Sequence, residues 1–129
     1  MKKVLIADKA DAICEKVLRE RGLEPVVRTG MKPEELKACI AEFDAIIVRS
    51  ATTLTCDLLA AATNLKAVAR AGSGVDNIDV PTCTGKKVVV MNTPFGNTVS
   101  TAEHAIAMMM ALARHIPQAS ASTHAGKWE

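Results

Sequence analysis

The sequence predicts an α/β protein of the flavodoxin-like, doubly wound class, with a parallel five-stranded sheet in the order 2-1-3-4-5. Five short apolar runs alternate with segments of helical spacing, which is the pattern of parallel strands joined by crossover helices. The runs are continuous rather than alternating with polar residues, as expected for strands covered on both faces. The length of 129 residues suits one domain with a core of its own.

The predicted elements follow one another in regular order. Helical spacing after the first strand ends at Gly22, a residue type that favours the left-handed conformation just beyond a helix. Pro33 is typical of the first position of a helix, and Glu34 and Glu35 suit the positive end of the helix dipole. A third helix is predicted over residues 54–62. The five predicted strands cover residues 4–7, 26–27, 45–48, 67–69 and 88–91.

A long apolar helix is predicted after the fifth strand, over residues 99–116. Ser100 and Glu103 have the spacing of a capping box at its start, and Pro117 follows its end. The helix is apolar almost all round, which is typical of a helix buried on several sides. We therefore expect it to face another chain or domain in part, and we predict a homo-oligomer formed through it. The apolar side chains expected at that surface are Ile106, Met108, Met109, Met110 and Leu112.

The composition excludes several classes of function. The formal net charge of +2 is small and the basic residues are scattered, so no nucleic-acid partner is expected. No apolar run reaches the length of a membrane span, and acidic residues come too early for a signal peptide, so the sequence predicts a cytoplasmic protein. The cysteines lie at irregular spacing, so we expect free thiols packed as small buried residues, and no metal site. These cysteines are Cys14, Cys39, Cys56 and Cys83.

Candidate binding residues follow the third and fourth predicted strands, at the edge where ligands bind in open α/β sheets. Arg49 and Ser50 follow the third strand, and Arg70 with the turn Gly72-Ser73-Gly74 follows the fourth. Arginine offers a planar fork of donors that fits carboxylate or phosphate oxygens. Glycines let backbone N–H groups approach an anion closely. The sequence therefore predicts the capture of a small, multiply charged acid.

Four segments carry a resemblance to a known family: "IIVRSAT", "VARAGSGVDNIDV", "VVVMNTPFGNTVSTAEHAIAMMMALAR" and "IPQASASTHAGKWE". In this order and spacing they resemble the N-terminal part of the D-isomer-specific 2-hydroxyacid dehydrogenases, and within that family the phosphoglycerate dehydrogenases. The resemblance covers essentially the whole chain. It implies the substrate-binding part of an NAD-dependent enzyme that oxidises 3-phospho-D-glycerate (3-phosphoglycerate) to 3-phosphohydroxypyruvate, which is the entry to serine biosynthesis.

The resemblance also implies roles for individual residues. Arg49 and Ser50 match the "VRSAT" motif, whose arginine faces the phosphate end of the substrate. Asn97 matches an asparagine close to both substrate and cofactor. A further motif is the loop whose backbone amides hold the substrate carboxylate, matched here by Arg70, Gly72, Ser73 and Gly74. Within that loop, Ser73 stands on the side of the nicotinamide. Phe95 departs from the polar or small residue expected in its motif.

The resemblance places the remaining chemistry outside these residues. The family's hydride transfer uses an arginine, a glutamate and a histidine further along its chains, so no catalytic residue is expected here. The family's dinucleotide-binding fingerprint, G-x-G-x-x-G, also comes later in its chains. The turn Gly72-Ser73-Gly74 is not that fingerprint, because Val75-Asp76-Asn77 follows it and not a third small residue that opens a helix. The implied domains are a substrate-binding domain over residues 1–98 and, over 99–129, an inter-domain helix and tail leading to a domain that holds most of the NAD. We expect the chain alone to be inactive.

Alternatives from other classes stay open at this point. Another D-2-hydroxyacid dehydrogenase, of the glyoxylate or D-lactate type, would share the fold and most of the motifs. A non-catalytic module could bind anions and dimerise through the apolar helix. A phosphorelay receiver is disfavoured, because the third strand ends in Arg49 where such a protein needs an aspartate.

Overall fold

The computed structural model describes residues 1–128. Within that range, parallel strands form one five-stranded sheet in the order β2-β1-β3-β4-β5, which confirms the predicted fold class and strand order. The bounds of β3 are those predicted, and the other strands shift by no more than three residues. The strands are β1 (Lys2–Ile6), β2 (Leu23–Val27), β3 (Ala45–Val48), β4 (Ala67–Arg70) and β5 (Val89–Asn92).

Side-chain caps explain where several helices begin. Asp11 accepts a hydrogen bond from the backbone N–H of Ile13 at the start of α1, and Asp79 accepts one from Thr82 at the start of α4. The second helix begins at Pro33, as predicted. The helices that connect the strands are α1 (Ala12–Glu20), α2 (Pro33–Cys39) with a 3-10 turn at Ile40–Glu42, α3 (Cys56–Ala61) and α4 (Val80–Gly85).

The main hydrophobic core lies against one face of the sheet. Leu5, Ile46 and Val68 are neighbours in register on β1, β3 and β4, so their side chains share that face, and all three are fully buried. The helical layer above them contributes Leu36, Ile40, Phe43, Leu58 and Leu59. This packing fixes the carboxyl ends of the central strands at one edge of the sheet.

The chain divides into two compact units, of which the first is Met1–Gly96 and the second begins at Asn97. The second unit contains the helices α5 (Thr98–Ala113) and α6 (Ile116–His124). Among residues 1–128, no helix has both the length and the apolar character that crossing a membrane requires. The apolar side chains of α5 are exposed, and the partner proposed for them stays a prediction. They include Ile106, Met108, Met109, Met110 and Leu112.

The predicted helix over residues 99–116 is wrong in its bounds. Asn97, and not Ser100, is the N-cap residue of the helix, and the helix ends at Ala113. His115 adopts the left-handed conformation, with a φ of 51°, and separates this helix from the next. Pro117 lies in the first turn of α6, where a missing N–H needs no partner, so the proline begins a helix instead of following one.

The cysteines are free, as predicted, but they differ in exposure. Cys39 and Cys83 are buried, and Cys14 is partly buried. The prediction of a buried thiol is wrong for Cys56, which is exposed because it opens the short helix α3 at the surface. Burial raises the pKa of the Cys14 and Cys83 thiols above the ordinary value. The described part of the chain contains no group of three or more His, Cys, Asp or Glu side chains that could hold a metal ion.

Candidate anion-binding site

The predicted site residues of the first unit lie at the carboxyl edge of the sheet. Val48 and Arg70 are in register at the ends of β3 and β4, and Asn92 continues that register at the end of β5. The segments that follow β3 and β4 therefore start side by side. The predicted residues on these segments are Arg49, Ser50, Arg70, Gly72, Ser73 and Gly74. Asn97 belongs to the second unit, where it precedes α5.

The segment after β3, residues 49–52, is held by side chains from other strands. Asp8, which follows β1 and is only 7% exposed, accepts hydrogen bonds from the backbone N–H of Arg49 at 2.6 Å and of Thr52 at 3.2 Å. It also accepts one from the Thr52 hydroxyl at 2.7 Å. Asn77, from the segment after β4, donates to the backbone carbonyls of Arg49 at 2.7 Å and of Thr52 at 2.6 Å. We call residues 49–52 the β3 loop.

Arg49 is exposed to solvent although its backbone is anchored. Its Nη1 donates to the backbone carbonyl of Lys9 at 3.2 Å, which is a long hydrogen bond. A guanidinium group has five N–H donors in a planar fork, so a single contact leaves most of its binding capacity for a ligand. Arg49 therefore has the exposure and the donors that the capture of an anion requires.

Arg70 differs from Arg49 because its side chain contacts residues of its own loop. Its side chain is only 12% exposed, and Nη1 donates to the backbone carbonyl of Gly74 at 2.6 Å. Nη2 lies 3.9 Å from a carboxylate oxygen of Asp76. Nε is buried without a hydrogen-bond partner among the described residues. We call residues 70–77 the β4 loop, and Arg70 is the group around which it closes.

The two glycines of the β4 loop are explained by this closure. A Cβ added to Gly72 would lie 2.9 Å from Nη1 of Arg70 and 3.2 Å from its Cζ. A Cβ added to Gly74 would lie 2.8 Å from a carboxylate oxygen of Asp76. The sequence predicted glycines that let an anion approach the backbone. In the structure they first of all make room for the guanidinium and carboxylate groups of their own loop.

The β5 segment supports the β4 loop from its other side. Asn92 donates through its side-chain amide to the backbone carbonyl of Ser73 at 2.7 Å. The backbone N–H of Thr93 donates to the carbonyl of Gly72 at 3.0 Å. These contacts fix Ser73 and Gly72 relative to the end of β5, so the exposed backbone of the loop keeps a defined position.

Sequence reasoning did not assign roles to Asp8, Thr52 and Asn77, although all three follow predicted strands. The signal that could have found Asp8 is its place directly after the apolar run of β1, where the fold buries a charged group. Thr52 and Asn77 end the "VRSAT" and "RAGSGVDN" segments, but no local pattern indicates their hydrogen-bond partners, which lie far away in the chain.

Comparison with protein families identifies the family of this chain. The model of the D-isomer specific 2-hydroxyacid dehydrogenase catalytic domain matches residues 4–126. The chain belongs to the D-isomer specific 2-hydroxyacid dehydrogenase family. This confirms the resemblance that the "VRSAT" and "RAGSGVDN" segments indicated.

Two relatives within this family are similar to the chain in sequence. The chain is 50% identical over 127 residues to the D-3-phosphoglycerate dehydrogenase of Archaeoglobus fulgidus, covering 98% of this chain and 24% of that protein. It is 49% identical over 129 residues to the human D-3-phosphoglycerate dehydrogenase, covering 100% of this chain and 24% of that protein. The chain thus spans about a quarter of the length of these curated relatives.

A solved structure of an enzyme with this name shares the fold. The 3-phosphoglycerate dehydrogenase of Entamoeba histolytica, described as bound to NAD+, superimposes with a TM-score of 0.75 at 32% identity. The match covers 85% of this chain and 38% of that chain. This NAD+-bound relative supports NAD dependence within the family.

Proposed function

We propose that this chain is the substrate-binding portion of an NAD-dependent D-3-phosphoglycerate dehydrogenase, which oxidises 3-phosphoglycerate to 3-phosphohydroxypyruvate. The observation that carries the proposal is the exposed Arg49 guanidinium, held on an anchored loop at the carboxyl edge of the sheet. The names of relatives about 50% identical to this chain support the same substrate. A cytoplasmic location stays a prediction from the sequence.

The proposed roles divide between the two loops. Arg49, with the neighbouring Ser50, binds the phosphate of the substrate through its fork of N–H donors. The exposed backbone around Ser73 and Gly74 binds the carboxylate, which needs donors without bulky side chains nearby. Arg70 and Gly72 keep that backbone in place, and Arg70 adds positive charge beneath the bound acid.

The residues of this chain fit only the edge of an NAD site. The turn Gly72-Ser73-Gly74 closes around Arg70 and does not open a helix, so it does not form the cradle that a pyrophosphate needs. At the start of the next helix, α4, the Asp79 carboxylate already accepts from the backbone N–H of Thr82. We propose contacts from Ser73 and Asn97 near the nicotinamide, which accepts the hydride when NAD is bound. The rest of the cofactor belongs to a different domain.

The proposed domain division follows from this partial fit to NAD. Residues 1–98 form the substrate-binding domain, and residues 99–129 form a helix and tail leading to the domain that holds most of the NAD. We propose that these 129 residues alone do not catalyse the reaction. The exposed apolar residues of α5 support a homo-oligomer formed through the segment 99–116.

The first test measures binding of 3-phosphoglycerate to this chain by NMR titration. Arg49→Ala should weaken binding about tenfold, because it removes charge-assisted hydrogen bonds to the phosphate. Arg21→Ala is the matched control. It removes the same charge from an exposed residue at the end of α1, just before β2 and thus at the opposite edge of the sheet, and should leave binding unchanged.

Three results would contradict the proposal or redirect it. Equal binding by the wild-type chain and Arg49→Ala would remove Arg49 from the site. Equal affinity for D-lactate or glyoxylate and 3-phosphoglycerate would favour a dehydrogenase for an unphosphorylated acid. Concentration-dependent association without binding of any of these acids would favour a non-catalytic module.

A further inference from the structure

Asp8 presents an electrostatic difficulty for an anion-binding site. Its carboxylate is negatively charged, almost fully buried, and hydrogen-bonded to the backbone N–H of Arg49, the residue proposed to bind a phosphate. Charge alone would make Asp8 unfavourable at this position, because it repels an anion bound close by. Its presence therefore needs another explanation.

The contacts of Asp8 supply that explanation. Among residues 1–128, the hydrogen bonds that Asp8 accepts all come from the β3 loop, two from the N–H groups of Arg49 and Thr52 and one from the Thr52 hydroxyl. Asn77 reaches the same two residues from the segment after β4, and it binds their carbonyl groups. The N–H and C=O groups of the first and last residues of the loop are thus held by two side chains.

The two anchoring side chains cannot exchange roles. A carboxylate offers only acceptors, which suits the N–H and O–H donors that face Asp8. A side-chain amide offers two N–H donors, which suit the two carbonyls that face Asn77. The neighbouring backbone continues the connection, since the N–H of Leu54 donates to the carbonyl of Asn77 at 2.8 Å.

We propose that Asp8 and Asn77 are positioning residues for anion binding, which fix the backbone of the β3 loop so that the Arg49 fork is oriented before the ligand arrives. This inference rests on the proposed function of Arg49. Fixing the loop in the free protein lowers the entropy lost on binding, and this gain exceeds the repulsion between Asp8 and the anion.

For Asp8→Asn, the proposal predicts a change in affinity opposite in sign to the change expected from charge alone. Asp8→Asn removes a negative charge near the site, so charge alone would strengthen the binding of 3-phosphoglycerate. The amide that replaces the carboxylate is a weaker acceptor for the N–H groups of the β3 loop and has one acceptor oxygen instead of two, so binding should instead weaken, by about three- to tenfold in an NMR titration. The backbone N–H of Arg49 should also exchange faster with solvent, because its hydrogen bond then goes to a neutral amide oxygen, which is a weaker acceptor than the carboxylate.

A double-mutant cycle separates positioning from general stability. In an Arg49→Ala background, Asp8→Asn should have no further effect on affinity, because the guanidinium that Asp8 positions is absent. A residue that only stabilises the fold would lower the apparent affinity by the same factor in both backgrounds. Stronger or unchanged binding by Asp8→Asn, or equal weakening in both backgrounds, would overturn the inference.

Thr52→Val keeps the inference testable if Asp8→Asn does not fold. This nearly isosteric change removes only the 2.7 Å hydrogen bond to Asp8 and leaves every charge in place. It should weaken binding about two- to threefold, and unchanged binding would overturn the inference. Failure of Arg49→Ala to weaken binding would overturn the proposed function and this inference together. If Arg49→Ala weakens binding as expected but neither Asp8→Asn nor Thr52→Val does, this inference alone is overturned.

Discussion

The β3 loop and the β4 loop start side by side with one arginine each, and only the β4 loop uses its arginine to hold its own backbone. The β3 loop is held from outside, by Asp8 and Asn77, so its Arg49 side chain is exposed. The β4 loop is also contacted from outside, by Asn92 and Thr93, but its own Arg70 is only 12% exposed and donates to the Gly74 carbonyl within the loop. The difference shows that an arginine at a strand end is available to a ligand only where its own loop does not use its donors.

The largest expected effect is a loss of stability in Arg70→Ala, and it tests the difference between Arg70 and Arg49. This change removes the hydrogen bond to Gly74 and empties the space under the β4 loop. We expect a loss of about 2 kcal/mol in the free energy of unfolding, measured by urea denaturation. Arg49→Ala should change that free energy by less than about 0.5 kcal/mol, because the residue is exposed. Equal losses for the two substitutions would break the contrast.

A smaller effect is expected when Arg70 is displaced but kept. In Gly72→Ala, the new Cβ would lie 2.9 Å from Nη1, so the guanidinium must move away from Gly74. We expect a loss of about 1 kcal/mol in the free energy of unfolding, close to the contribution of one hydrogen bond.

The matched control for this substitution is Gly85→Ala at the end of α4, where a Cβ has no heavy atom within 4 Å. It should leave the free energy of unfolding unchanged or raise it slightly, because alanine reduces the entropy of the unfolded chain. A loss as large for Gly85→Ala as for Gly72→Ala would show that the cost at Gly72 does not come from Arg70.

The sequence predicted the sheet well, because the evidence for it is local. Each strand is a continuous apolar run, and its neighbours follow from the connections between runs. The bounds of the helix after β5 were predicted wrongly, because nothing in the sequence marks the left-handed conformation of His115. Pro117 was compatible with a position after one helix as well as inside the next.

The candidate site was predicted in its location but not in its internal order. Arg49, Arg70 and the glycine turn could be placed at the carboxyl edge from strand ends alone. The anchoring of the β3 loop could not, because Asp8 and Arg49 are 41 residues apart and Asn77 and Arg49 are 28 apart. Residue type and spacing also gave no means to tell an exposed guanidinium from a buried one.

NMR of the arginine side chains during a titration with 3-phosphoglycerate tests most directly whether Arg49 binds the anion while Arg70 holds the loop. The Nε–H signal of Arg49 should shift as ligand is added, and its exchange with solvent should slow. The Nε–H of Arg70, which is buried in the free protein, should already exchange slowly and should change little. A shift at Arg70 with none at Arg49 would contradict this division of roles.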